Sequence, residues 1–453
     1  MIKTEFSQTG RVAVVDGGGR GHAIISALAE SGKVNDVTLV PGNDYTKYDI
    51  EREFGIPVTL HKNISLKNSD AIVDVLQDGK FDMIDVAQDD AIAGNVAGRL
   101  RSQGALVVGA DRMAGKLEWD KAYMRSLGLV PGPAYAVAES EEELLQLLEN
   151  MPDVPYFTKA AYLAEGKGAM PAENKEQVLE RFAELRARYP HAAQKIVVEE
   201  WMKNADGTPG DEFSHFIFTD GRDYQEVGTA VDYKTAYDFD AGENTGSMGS
   251  NSPTNLMSEQ IARLTHDKVV EPLMEGLMRE GIDYQGVIYV SGMVTRDSDN
   301  NPHVRVVEIN SRLGDPEAQV IVPGLQNYYD INMAIATRNL GGMTLGRDRF
   351  HRVAVTGASR GYPGNYDKAK NKRIFGLEDA YQEGAVIRGA GMTRVGDEWR
   401  VSGGRLFYVV GSGSSLGEAR AQAYASISHV SVEGDNLHYR TGIGRRDMLR
   451  AIE

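Results

Sequence analysis

The chain has 453 residues, 42% of them hydrophobic and 25% charged, and 65 acidic against 49 basic residues leave a net charge of −16. That length suits about three domains with a sizeable core, and the charge argues against a nucleic-acid partner. The absence of cysteine excludes disulfides, thiolate catalysis and thiolate-held zinc or iron–sulfur clusters.

No apolar run approaches the ~20 residues of a membrane helix, and the opening MIKTEFSQTG lacks the apolar core of a secretion signal. A cytoplasmic protein acting on small molecules, without membrane or nucleic acid, as a monomer or small homo-oligomer, is the expectation. The nine histidines have no metal-ligand spacing and read as surface or packing residues.

The first motif is RVAVVDGGGRGHAIISALAESG, from Arg11 to Gly32. An apolar strand, a turn at Gly17, Gly18 and Gly19, and a helical run from Ala23 to Ala29 open a doubly wound α/β unit. The turn does not have the GxGxxG spacing of a dinucleotide site, while Arg20 and His22 suit a phosphate. Strand VTLVPGN (Val37 to Asn43), a helix near Ser69 to Gln77, and FDMIDVAQDD (Phe81 to Asp90) continue a parallel sheet that ends near Val107. Its ligand edge would gather Gly17 to Gly19, Pro41, Gly42 and Asn43, and Gln88 to Asp90.

In LEWDKAYMRSLG, Lys121 and Arg125 share a helical face that either reaches a phosphate or is solvated. Ser140 followed by three glutamates reads as a capped helix start. In PYFTKAAYLAEGKGAM, a strand carries Lys159 into a loop with Gly166, Lys167 and Gly168, suited to a lid over a triphosphate; the alternative is a plain surface loop. KIVVEEWM places Glu199, Glu200, Trp201 and Met202 at a strand end, a mixture of backbone polar and apolar groups suited to an adenine ring. Glu212 and Ser214 precede another strand. VDYKTAYDFDAGENTGSMGSNSP, Val231 to Pro253, reads as one long functional loop with Asp232, Lys234, Asn244, Thr245 and Gly246. A helix from Ser258 to Glu280 follows.

EINSRLGDPE then places Glu308 and Asn310 two apart at a strand end, on one side of it. A carboxylate and an amide oxygen so placed suit Mg²⁺ or Mn²⁺ shared with a substrate phosphate. Arg312, Asp315 and Glu317 follow in a charged turn. Lysines and arginines on several loops beside such a pair are the equipment for phosphoryl transfer. The final ~100 residues, after a Gly/Pro break at Gly361 to Gly364, read as a separate small module.

The order of GGRGHA, PGN, LEWDKAY, EGKG, VVEEW, ENTGSMG, EINSRLGDPE, GYPG, SGGR and YRTGIG resembles the glycinamide ribonucleotide synthetases (phosphoribosylamine–glycine ligases) of the ATP-grasp superfamily. The resemblance implies an α/β multidomain fold. An N-terminal doubly wound domain (1–112) would be followed by an ATP-grasp domain (113–348, lid subdomain about 128–200) and a C-terminal domain (349–453). It implies that Lys121, Lys159 and the loop Gly166 to Gly168 bind ATP phosphates, that Glu199 to Met202 hold adenine and Glu212 the ribose, and that Glu308 and Asn310 bind the metal. It matches Asp232, Asn244 to Gly246, Arg312 and Asp315 to the loops for glycine and the sugar phosphate. Arg312, Asp232 and Lys234 are the catalytic candidates, and Gly18, Gly19, Arg20, His22, Pro41 to Asn43 and Glu317 join the substrate-binding ones. The reaction would run through an acyl phosphate of glycine. A ligase with another acid and amine, or an ATP-binding module without turnover, are the alternatives.

The chain departs from the family pattern at Gly21 (GGREHA), at AQDDAI (GPExPL), at Ala161 and Tyr162 (KADG), at Glu243 and Ser247 (GPNTGGMG) and at Gly442 (RxDIG).

Overall fold

The computed structural model describes residues 10–164 and 167–450. The first unit is a parallel five-stranded sheet in the order Val58–Leu60, Val34–Pro41, Gly10–Asp16, Met83–Val86, Val107–Val108. The strand order reverses at Gly10–Asp16, which lies between Val34–Pro41 and Met83–Val86, so the ligand crevice of such a sheet lies beyond Asp16. Val12, Val14, Val37 and Met83 face the helix Gly19–Glu30 in a dry core, and the helix Ser69–Gln77, capped by Asn68 on Ala71 N–H at 3.1 Å, covers the other side.

A four-stranded antiparallel sheet, Tyr135–Ala138, Ile196–Glu200, Tyr156–Ala160, Ala169–Ala172, forms a second unit. Its helix Glu141–Asn150 starts as the sequence predicts. Ser140 Oγ accepts from Glu143 N–H at 3.1 Å, and the Glu143 carboxylate accepts from Glu139 N–H at 2.7 Å, a reciprocal cap.

The largest sheet has nine strands. Pro302–Asn310, Gly286–Arg296, Asp211–Thr219, Tyr224–Asp232 and Gly249–Ser252 come from the middle of the chain, His351–Ser359, Arg405–Gly413 and Val386–Gly389 continue it from the C-terminal segment, and the short strand Leu437–His438 pairs with the end of His351–Ser359. The final hundred residues therefore share a sheet with the preceding unit, because Gly249–Ser252 pairs with His351–Ser359 rather than presenting a free edge. The predicted long loop 231–253 also holds more structure than expected. Thr235–Tyr237 and Ala241–Asn244 form a hairpin whose turn is held by Arg440, Thr441 and Gly442 on Asp238 and Asp240. The helix predicted over 258–280 runs as Glu259–Thr265 and Glu271–Arg279 with a π-helical turn, His266–Val270, between them. Among the described residues no helix is long and apolar enough to cross a membrane.

Asp85, beside Val14 in the parallel sheet, is buried. Burial, then the nearby charge of Asp16, pushes its carboxyl up to about 7 from an ordinary 3.8. The unfolded chain would ionise it near the lower value, so its contribution to stability is full below about 3.8 and is lost as pH rises through about 7. Asp85→Asn should therefore be the more stable protein at pH 8, by up to about 4 kcal/mol, and should gain nothing at pH 4. Thermal unfolding across that range would show it, and parallel pH profiles for the two proteins would refute it.

Candidate active site

The antiparallel registers Glu308 to Ser291, Ser291 to Ser214, and Ser214 to Ala230 put these positions on one face of the large sheet, and Asp232, two residues beyond Ala230, joins them. Glu308 is half-buried. Burial would raise its carboxyl, but the charges of Lys121, Lys234, Lys159 and Arg312 hold it down to about 2. No hydrogen bond ties that carboxylate to another of the described residues, whereas the neighbouring Asn310 amide oxygen accepts from Arg312 at 3.3 Å. Two hard oxygen donors fit Mg²⁺ or Mn²⁺. Among the described residues no three carboxylates or imidazoles converge as a metal site, so such an ion would complete its shell with phosphate oxygens and water.

Lys159 and Arg125 converge on Glu199, at 2.5 and 2.7 Å. Burial opposes ionisation of Glu199, and the charges of Lys159 and Arg125 overcome it, holding its carboxyl low. Arg125 also donates to the carbonyls of Val306 at 3.0 Å and Val307 at 2.7 Å, the two residues before Glu308. It is thus a joint between the four-stranded sheet and the strand Pro302–Asn310 and is spent on these partners, whereas the phosphate-facing alternative pairs it with Lys121. Glu199 likewise turns its carboxylate to cations, leaving the backbone and side chains of Glu200, Trp201 and Met202 to line the strand end, where Trp201 packs edge-on against Phe157 at 4.9 Å. Lys121 opens the helix Lys121–Leu127, its N–H bonded to Ala161 O at 2.9 Å. Lys167 and Gly168 lead into the strand Ala169–Ala172; Gly166 lies outside the described residues.

Lys234 pairs with Glu212 at 2.5 Å. Burial, then Glu317, raises the Asp232 carboxyl to about 7, and Asp232 Oδ1 is buried with no hydrogen-bond partner among the described residues. Glu317 is buried and accepts from Ser214 at 3.3 Å. Arg312 is held by Glu118 at 2.8 Å, while its Nε is buried with no hydrogen-bond partner among the described residues. Glu118 lies nearly two hundred residues away in sequence and carried no signal of this role.

In the 244–247 turn, Thr245 N–H and Oγ both donate to Lys234 O at 2.7 Å, and Gly246 N–H donates to Tyr362 OH at 2.9 Å. Asn244 is exposed and pairs with Thr235. Ser247 sits at φ +99°, a glycine-favoured conformation, with its hydroxyl on Gly249 O at 3.0 Å. Asp315 accepts from Gln319 at 2.6 Å, Tyr408 at 2.9 Å and Arg405 at 3.0 Å. Its carboxylate is spent on fixing Arg405.

The N-terminal candidates are mostly engaged by the protein itself. His22 is fully buried, with Nε2 on Asp49 at 2.9 Å and Nδ1 accepting from Gly389 N–H at 2.9 Å. Asn43 donates to Gly17 O and Gly389 O and caps Thr46 at 2.8 Å, while Pro41 and Gly42 shape the turn before it, with Gly42 at φ +68°. A Cβ on Gly19 would lie 2.1 Å from the Tyr408 ring, so this glycine admits a C-terminal strand. Gly18 and Arg20 close on Asp16.

Replacing Arg125 by Met should destabilise the protein by about 3–5 kcal/mol, because Glu199 loses one of its two cations in a buried setting. Adding Glu199→Gln should recover part of that loss. Urea unfolding of the three proteins tests this; a single-variant cost below about 1 kcal/mol would mean the joint carries little.

Three family models match in series: the phosphoribosylglycinamide synthetase N domain at 10–118, its ATP-grasp (A) domain at 115–318 and its C domain at 352–446. A phosphoribosylamine–glycine ligase of Streptococcus pneumoniae is 32% identical over 445 residues, 96% of this chain and 99% of that one, and one of Chlorobaculum tepidum is 30% identical over the same shares of each. The crystal structure of a phosphoribosylamine–glycine ligase from Thermotoga maritima superposes with a TM-score of 0.76 at 28% identity, over 95% of this chain and 99% of that one. The three models together span most of the chain in the order of its folded units, and the chain belongs to the phosphoribosylglycinamide synthetase family.

Proposed function

We propose that the chain is an ATP-dependent carbon–nitrogen ligase of purine biosynthesis that joins glycine to 5-phosphoribosylamine, giving glycinamide ribonucleotide, ADP and phosphate. The observation that carries this reading is Glu308, an ionised carboxylate faced by Lys121, Lys159, Lys234 and Arg312. That many cations around one carboxylate and one amide call for a polyanion, and a nucleotide triphosphate supplies it. Lys121, Lys159 and Lys167 bind its phosphates, Glu200 to Met202 hold adenine, and Glu212, one of whose oxygens holds Lys234, offers the other to the ribose. Mg²⁺ or Mn²⁺ at Glu308 and Asn310 would neutralise charge on the transferring phosphoryl group.

A glycine carboxylate oxygen displaces ADP from the γ-phosphorus, with the Arg312 guanidinium as its partner. The acceptor amine then attacks the carbonyl carbon, the carbon–oxygen bond to phosphate breaks, and the amine proton leaves. Asp232, near pH 7 and with a free buried oxygen, is placed to take that proton. Lys234 balances the charge of Asp232 and Glu308. The enzyme works on small molecules in the cytoplasm as a monomer or small homo-oligomer, a reading supported by its acidic, cysteine-free composition.

Incubation with ATP, glycine and phosphoribosylamine should yield glycinamide ribonucleotide by mass, one per ADP; robust ADP formation without it would overturn the substrate assignment. Glu308→Ala should lower turnover by at least about 10³-fold, a few kcal/mol of transition-state stabilisation, with unchanged circular dichroism, and a rate like the parent's would refute its metal role. The rate of the amine step should rise with pH through about 7, the carboxyl of Asp232. Asp232→Asn should remove that limb; its persistence would assign the proton to another group.

A further inference from the structure

The turn after the first strand has two anion-binding devices: the N-terminus of the twelve-residue helix Gly19–Glu30 and the guanidinium of Arg20. One residue already fills both. Asp16 Oδ1 accepts from Gly18 N–H at 2.6 Å and Gly21 N–H at 3.2 Å, and Asp16 Oδ2 accepts from Arg20 Nε at 2.8 Å and pairs with its terminal nitrogen at 2.6 Å. The other terminal nitrogen of Arg20 donates to Leu313 O at 3.0 Å. Asp16 and Arg20 are both buried.

The arrangement requires Gly21. A Cβ there would lie 2.7 Å from the Asp16 Cβ and 3.0 Å from Oδ1, so any larger residue at 21 would move the carboxylate. The space a phosphate would need is also bordered by acids. The missing Cβ of Gly18 would lie 3.3 Å from Asp315 Oδ2, and Asp85 is buried one strand away on the same face as Asp16. The other two arginines of this region are paired as well, Arg312 with Glu118 and Arg405 with Asp315.

We propose that Asp16 is a built-in anion that determines specificity at this turn: it closes the helix N-terminus and Arg20 to phosphate, so that the phosphate of the acceptor amine is held elsewhere in the site. A phosphate entering the turn would have to displace a carboxylate hydrogen-bonded by three groups and then sit beside it. This deepens the ligase reading and rests on it for the identity of the acceptor, but its test involves neither ATP nor glycine, so failed ligation and failed phosphate exclusion give separate results.

The test is calorimetric titration of the full-length chain with inorganic phosphate and with ribose 5-phosphate at constant ionic strength. Asp16→Asn and Asp16→Gly should tighten binding at least tenfold, and adding Arg20→Met to either should abolish the gain. In the parent chain Arg20→Met should leave both affinities unchanged. Crystals of the parent chain soaked in ribose 5-phosphate, a measurement that needs no variant to fold, should keep Asp16 on Arg20 with no phosphate on the Gly18 and Gly21 N–H groups. Phosphate density on those groups, affinity in the parent chain that depends on Arg20, or Asp16 variants with the parent's circular dichroism and no gain would each overturn the proposal.

Discussion

Glu308 stays ionised because Lys121, Lys159, Lys234 and Arg312 surround it, and those cations are tolerable in a half-buried setting because carboxylates are placed among them. Lys159 leans on Glu199, Lys234 on Glu212, and Arg312 on Glu118. Each pair holds a flexible cationic chain in one place and so reduces the ordering cost that any ligand of these cations has to meet. With Glu308 included, four carboxylates balance four cations, and the cluster holds together as alternating charge.

Arg125 gives this electrostatic arrangement a mechanical side. Its hydrogen bonds to Val306 O and Val307 O and its ion pair with Glu199 couple the four-stranded sheet to the strand that ends in Glu308 and Asn310. Lys159, on the strand Tyr156–Ala160, is therefore registered against Glu308 and Asn310 through one buried guanidinium.

Much of this was legible in the sequence where local rules decide. The strand–turn–helix opening, the Ser140-capped helix Glu141–Asn150 and the Glu308–Asn310 spacing follow from period, caps and strand alternation. Long-range pairing was not legible. The segment 231–253 is rich in Gly, Asn, Ser and Asp and reads as loop, yet it forms a hairpin and a sheet strand because Arg440, Thr441 and the strand His351–Ser359 bind it from far along the chain. Arg20 read as a phosphate cation; its i, i+4 spacing to Asp16 was the sequence signal for the ion pair that forms instead. Arg125 shares a helical face with Lys121, and only the folded position of Glu199 decides that Arg125 turns inward.

Activation of glycine by phosphorylation of its carboxylate is tested by a reaction with glycine labelled with ¹⁸O in both carboxylate oxygens, followed by mass analysis of the released phosphate. One labelled oxygen should appear in each phosphate formed, because the carbon–oxygen bond to the phosphoryl group is the one that breaks when the amine attacks. Phosphate released without label would contradict it.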